Sequence, residues 1–159
     1  MNDIIELVKK LYFLKDYDFK GIPPHEGGRN RVYVCSQSGE DKYVLRISAL
    51  GDRKESDYLA EAEFIRFLAE NSAPVADVVP SVTGKLVESI DIDGKKGYIS
   101  LFEYAKGMLI SDNGYQYRDG VSLEEYFYNT GKTLGIIHRL SKNYTPLHRR
   151  IDYRERYKP

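Results

Sequence analysis

The sequence predicts an α+β fold: a five-stranded antiparallel sheet with one packed helix, an N-terminal helix, and a second long helix after the sheet. Five apolar, strand-like runs are separated by Gly- and Pro-containing turns, whereas three other stretches repeat apolar residues every three or four positions. With 159 residues, 42% of them hydrophobic and 30% charged, the chain can bury a sizeable core. It matches one globular domain, or one lobe and part of a second.

Ile4, Ile5, Leu7, Val8, Leu11 and Tyr12 fall at helical spacing behind Asn2 or Asp3 as a cap. Pro23 and Pro24 forbid helix, so 19–24 is extended and runs into His25-Glu26-Gly27-Gly28-Arg29-Asn30-Arg31-Val32. Two adjacent glycines there suit close approach of backbone N–H groups to an anion such as a phosphate; an ordinary hairpin is the other reading of that loop. Strands at 31–36 and 42–48, joined by a polar turn over 37–41, complete a meander. Alternation in the second puts Val44 and Arg46 on one face and Tyr43, Leu45 and Ile47 on the other.

A helix follows, opened by a reciprocal cap in Asp52-Arg53-Lys54-Glu55 and continuing to about Asn71. Leu59, Ala62, Ile65 and Leu68 line its apolar face, flanked by Phe64 and Phe67, and Glu61 sits beside that seam where a carboxylate can turn inward. Pro74 and Pro80 bound a loop. Strands at 85–92 and 96–104 then flank Asp93-Gly94, a strong hairpin signal. A polar, aromatic linker leads to Ser122-Leu123-Glu124-Glu125, which reads as the cap of a helix ending near Ser141.

The 24 basic and 24 acidic residues cancel, so no overall field favours nucleic acid or a membrane surface. The last 21 residues, 139–159, carry seven Lys/Arg against Asp152 and Glu155, a local surplus read as solvated surface. The one cysteine, Cys35, lies in an apolar strand pattern and reads as a small core residue in a reducing compartment. Without a signal-peptide block or a membrane-length apolar run, the chain is expected to be cytoplasmic.

Strand, glycine loop, strand, strand, helix, strand, strand, connector, helix is also an order with a known counterpart. Over 15–145 the chain resembles the N-terminal portion of the aminoglycoside phosphotransferase and choline kinase group, small-molecule kinases of protein-kinase-like fold. The resemblance implies a nucleotide-binding N-lobe with hinge over 1–107, and a linker with the start of a truncated C-lobe over 108–159. It implies ATP as cofactor, with Mg²⁺. Gly27 and Gly28 would lie against phosphates, with Asn30 in the place of the loop's last glycine. Val32 and Val44 would cover adenine. Arg46 stands where the family carries a phosphate-holding lysine, paired with a helix glutamate that matches Glu61, Glu63 being the competing choice. In the connector 101–107, Phe102 would be the gatekeeper, while the Glu103 carbonyl and the Ala105 N–H would read adenine's edge.

One match is declined. His138-Arg139-Leu140 is similar to a kinase catalytic loop, but Leu140 stands where the base Asp belongs, so His138 is read as structural. The family's His-Gly-Asp loop, its following Asn and its later metal-binding Asp have no counterpart here. The expectation is therefore the nucleotide-binding part of an ATP-dependent small-molecule phosphotransferase, inactive alone and meeting its acceptor only in a longer form. The other reading is a complete, non-catalytic kinase-like module that binds a nucleotide or a protein partner. In either case an exposed lobe face could drive self-association.

Overall fold

The computed structural model describes residues 2–24, 30–48, 51 and 53–148. Gly27, Gly28, Asp52 and the basic stretch after His148 therefore lie outside the described residues. In chain order the elements are α1 (Asn2–Leu11), β1 (Asp18–Ile22), β2 (Asn30–Gln37), β3 (Glu40–Ser48), α2 (Glu55–Glu70), β4 (Val78–Val79), β5 (Glu88–Ile92), β6 (Lys95–Glu103) and α3 (Leu123–Ser141). The pairing is antiparallel throughout. The sheet order is β1-β2-β3-β6-β4, and β5 also pairs with β6, so β4 and β5 share one edge of that long strand.

The sheet has six strands among the described residues, where the sequence predicted five. The additional one, β4, is the dipeptide Val78–Val79 inside the expected loop before Pro80; two residues carry no periodicity, and only pairing with Leu101 and Phe102 makes them a strand. Both hairpins turn on two residues, as Asp93-Gly94 predicts and where the sequence allowed a longer turn over 37–41. Ser38-Gly39 and Asp93-Gly94 each take positive φ at both residues, 53° and 79° in the first, 55° and 76° in the second. That geometry matches the twist of the flanking strands.

Two layers of side chains fill the fold, one on each sheet face. Leu45, Ile47, Cys35, Ile99 and Leu101 point one way and are covered by Val8, Tyr12 and Leu14, from α1 and the turn after it. Tyr58 and Ala62 of α2 cover the opposite face against Val78, Val87 and Tyr98. Tyr58 was not read as core from the sequence, yet it is 1% exposed and its ring lies 4.8 Å from that of Tyr98.

The ends of the helices differ from expectation. Asn2, a candidate cap, is already helical. The α2 cap falls at Lys54, whose N–H donates to the Asp57 carboxylate at 2.9 Å while the Asp57 N–H donates to the Lys54 carbonyl at 3.0 Å. The sequence placed this box earlier because Asp52 and Glu55 have the spacing; buried Asp57 fulfils the role from the third helical position. Ser122 does precede α3, but its side chain makes no cap hydrogen bond. No residue of α3 is buried, and Phe127 and Leu134 are 65% and 51% exposed. No helix among the described residues is long and apolar enough to cross a membrane.

Candidate functional site

The site is built on the sheet face covered by α2. Register places Val32 opposite Arg46 and Arg46 opposite Ser100, with Val34, Val44 and Phe102 aligned one pair along. Because side chains alternate along a strand, Val32, Val44, Arg46 and Phe102 share one surface. Beyond Arg46 the same row continues with Asn30, Ser48 and Tyr98.

Arg46 is the charged centre of that surface. Its Nη1 donates to Glu61 Oε1 at 2.6 Å, and its guanidinium carbon sits 5.0 Å from the centre of the Phe102 ring. The pair is half-buried, with side chains 18% and 28% exposed, where a charge-assisted bond is stronger than at an open surface. Arg46 Nη2 is shut away from solvent and has no hydrogen-bond partner among the described residues. A half-buried guanidinium with one arm spoken for and another unsatisfied suits an anion of planar or tetrahedral oxygen geometry.

Glu63, the competing glutamate, is engaged elsewhere: its Oε1 lies 2.8 Å from His148 Nδ1. Two residues along a helix rotate a side chain by roughly 200°, so Glu61 and Glu63 cannot both face the sheet. A second tie holds α2 to the sheet edge through Arg66, which contacts Asp77 Oδ2 at 3.2 Å and also donates to the Val78 carbonyl.

The remaining candidates occupy the margins. Asn30 Oδ1 accepts from Ser48 Oγ at 2.7 Å, which pins the start of β2 to the end of β3. Glu103 closes β6, its N–H donating to the Asp77 carbonyl at 2.8 Å, and Tyr104 N–H donates to the Lys42 carbonyl at 2.9 Å. These bonds fix the start of the connector on which Ala105 lies exposed. The residues missed in the sequence are Ser48 and Ser100, which flank Arg46 at 1% and 2% exposure. Alternation from Arg46 could have pointed to Ser48; Ser100 needed the β3–β6 register. Among the described residues no group of three or more His, Cys, Asp or Glu could hold a metal ion.

A twisted antiparallel sheet with a strand cation paired to a glutamate of the packed helix defines a kinase-like lobe. The chain belongs to the phosphotransferase enzyme family, whose model matches residues 20–159. Amicoumacin kinase of Bacillus subtilis (strain 168) is 32% identical over 117 residues, 72% of this chain and 32% of that protein. The uncharacterized protein sll1119 of Synechocystis is 36% identical over 96 residues, 58% of this chain and 26% of its own length. The chain thus spans about a third of these relatives or less.

Solved structures share the fold. Amicoumacin kinase hAmiN in complex with AMP-PNP, Ca²⁺ and Ami superposes with a TM-score of 0.73 at 22% identity, over 98% of this chain and 45% of that one. The microcompartment-associated aminopropanol kinase gives 0.67 at 18% identity, over 96% and 45%.

Proposed function

We propose that residues 1–107 form the nucleotide-holding lobe and hinge of an ATP-dependent small-molecule phosphotransferase, and that 108–159 are the linker and the start of its second lobe. The observation that carries this reading is the arrangement at Arg46: Nη1 on Glu61, Nη2 buried without a partner among the described residues. Once the groups that cover it shift, the free arm would donate to phosphate oxygens, and Glu61 would hold the guanidinium in place before the nucleotide arrives. Val32 and Val44, on the same face, would pack on the adenine ring. Phe102 would limit the depth of the pocket, with the Glu103 carbonyl and Ala105 N–H facing the base edge. Gly27, Gly28 and Asn30 complete the proposal on the phosphate side, with Asn30 held by Ser48.

ATP would supply the transferable phosphoryl group. Among the described residues no acidic or histidine cluster could hold a metal ion, and the sequence has no His-Gly-Asp loop to orient an acceptor hydroxyl. The acceptor, a small hydroxylated or amino compound, is therefore assigned to a longer form. A second reading, a module that associates with itself or a protein partner, is favoured by the exposed apolar side chains of α3.

The test is thermal unfolding with and without ADP or ATP and Mg²⁺. A rise in melting temperature that disappears in Arg46→Ala is the expected result. Identical melting of the wild type with and without nucleotide would overturn the nucleotide reading.

A further inference from the structure

The chain after α3 turns back onto α2. The Tyr144 ring lies 5.0 Å from Phe64 and 4.9 Å from Phe67, both on α2. Four residues later His148 Nδ1 meets Glu63 Oε1 at 2.8 Å. The Tyr144 hydroxyl is buried without a hydrogen-bond partner among the described residues, so its ring makes the contact.

These contacts fall on one side of the helix. At roughly 100° per residue, Glu63, Phe64 and Phe67 span an arc of about 100° whose middle is turned about 110° from Glu61. The Glu61 side faces the sheet and Arg46. On the sheet side α2 is held by Glu61, by buried Tyr58 and Ala62 and by Arg66; the 144–148 contacts grip the remaining side and so limit how far the helix can roll. Rolling α2 by a few tens of degrees would lengthen a 2.6 Å bond beyond hydrogen-bond range. Since α3 has no buried residue of its own, its exit segment is well placed to transmit the position of α3 to this helix.

We propose that the segment 144–148 is a strap that sets the rotation of α2 and thereby keeps Glu61 on Arg46, with Tyr144 its positioning residue. The proposal deepens the nucleotide reading and rests on it for its effect on affinity. It makes nucleotide binding by the first lobe dependent on where the chain after α3 lies. Displacing the strap, by a ligand or by packing of other chain segments, would loosen the cation that holds the phosphates.

The experiment uses the full chain and two readouts. Calorimetric titration with ADP measures affinity, and amide hydrogen exchange measures the protection of α2. Tyr144→Ala is expected to weaken ADP by roughly twofold to thirtyfold, the span by which residues remote from a ligand alter its affinity. Tyr144→Phe, which keeps the ring, should restore wild-type affinity, which general destabilisation would not predict. In Tyr144→Ala the amides of 61–68 should exchange faster while those of Leu45 and Ile99 stay protected.

Wild-type affinity in Tyr144→Ala, in a protein where Arg46→Ala abolishes binding, overturns the strap. So does unchanged exchange in α2. If wild type binds no ADP, the nucleotide reading fails, and the exchange arm still decides whether the strap holds the helix. Should Tyr144→Ala not fold, His148→Ala at the exposed end takes its place, with the same exchange pattern expected.

Discussion

Arg46 of β3 and Glu61 of α2, fifteen residues apart in the chain, meet at 2.6 Å across the layer between sheet and helix. Among the described residues neither has another oppositely charged partner, so each single substitution leaves a half-buried charge behind. Glu61→Leu and Arg46→Met should each cost about 1–3 kcal/mol, read as a lower urea midpoint with an unchanged slope. The double variant Arg46→Met/Glu61→Leu should recover much of the loss, because it buries no charge at all. Additive losses in that cycle would mean that the pair is not coupled.

Gly97 of β6 has no room for a side chain. A Cβ there would lie 2.5 Å from Ile92 Cδ1 and 3.2 Å from the Ser48 carbonyl oxygen. The first contact can be relieved by moving a flexible side chain; the second is backbone, and the chain there must give by a few tenths of an ångström. Gly97→Ala should destabilise by about 1–3 kcal/mol, and adding Ile92→Val should return only part of it. An alanine variant as stable as wild type would show that β3 and β6 separate more easily than their packing implies.

The Cys35 thiol and the Tyr12 phenol give the protein an alkaline limit. Burial pushes Cys35 from its ordinary 9.0 up to about 12. Burial, reinforced by the negative charge of Glu88, pushes Tyr12 upward from 10.0. The folded protein keeps both protons where the unfolded chain has lost them, so their stabilising effect is full below pH 9 and fades as pH rises towards 12. Urea midpoints should fall over that window, less steeply in Cys35→Ala. The native thiol should also resist alkylation at pH 8 and react once urea is added. Rapid alkylation of the folded protein would contradict its burial.

Glu88 supplies the opposite limit. Burial by itself raises its carboxyl, but hydrogen bonds from Ser81 at 2.6 Å and Thr83 at 2.7 Å, together with the Lys85 charge, outweigh burial and leave it below 4.5. A lowered folded-state value stabilises above the unfolded one and is lost as pH falls through it. Glu88→Gln should therefore be less stable than wild type at pH 7, with the gap narrowing below about pH 4.5. A gap that stays constant with pH would assign the loss to packing instead.

The open side of α3 predicts association. Phe127 and Leu134 expose 65% and 51% of their surface on a helix with no buried residue. Light scattering should show the mean mass rising with concentration, and Phe127→Ser with Leu134→Ser should suppress it. A wild-type chain monomeric at every concentration would leave the face without a partner of its own kind.

Much of the fold was legible in local signals. Asp93-Gly94 announced a hairpin because few residues accept positive φ at both turn positions, and the alternation of 43–47 divided the two sheet faces correctly. The family resemblance likewise rested on the order of elements, which survives when individual motif residues drift, and the match over residues 20–159 accords with it. What the sequence by itself determined was therefore periodic or punctuated: helix and strand types, the tight turns, the side on which Arg46 emerges from β3.

Only the tertiary structure decided what depends on register and rotation. Val78–Val79 became a strand because the edge of β6 was open there, and Ser100 joined the site because β6 slid to place it opposite Arg46. Glu61 and Glu63 are chemically identical and two residues apart; the sequence matched Glu61 to Arg46 and left Glu63 as the competing choice. The angle at which α2 lies on the sheet gives Glu61 to Arg46 and Glu63 to His148, eighty-five residues downstream, a partner the sequence did not point to. Pairing across such distances is fixed by packing of the whole layer, which no local pattern encodes.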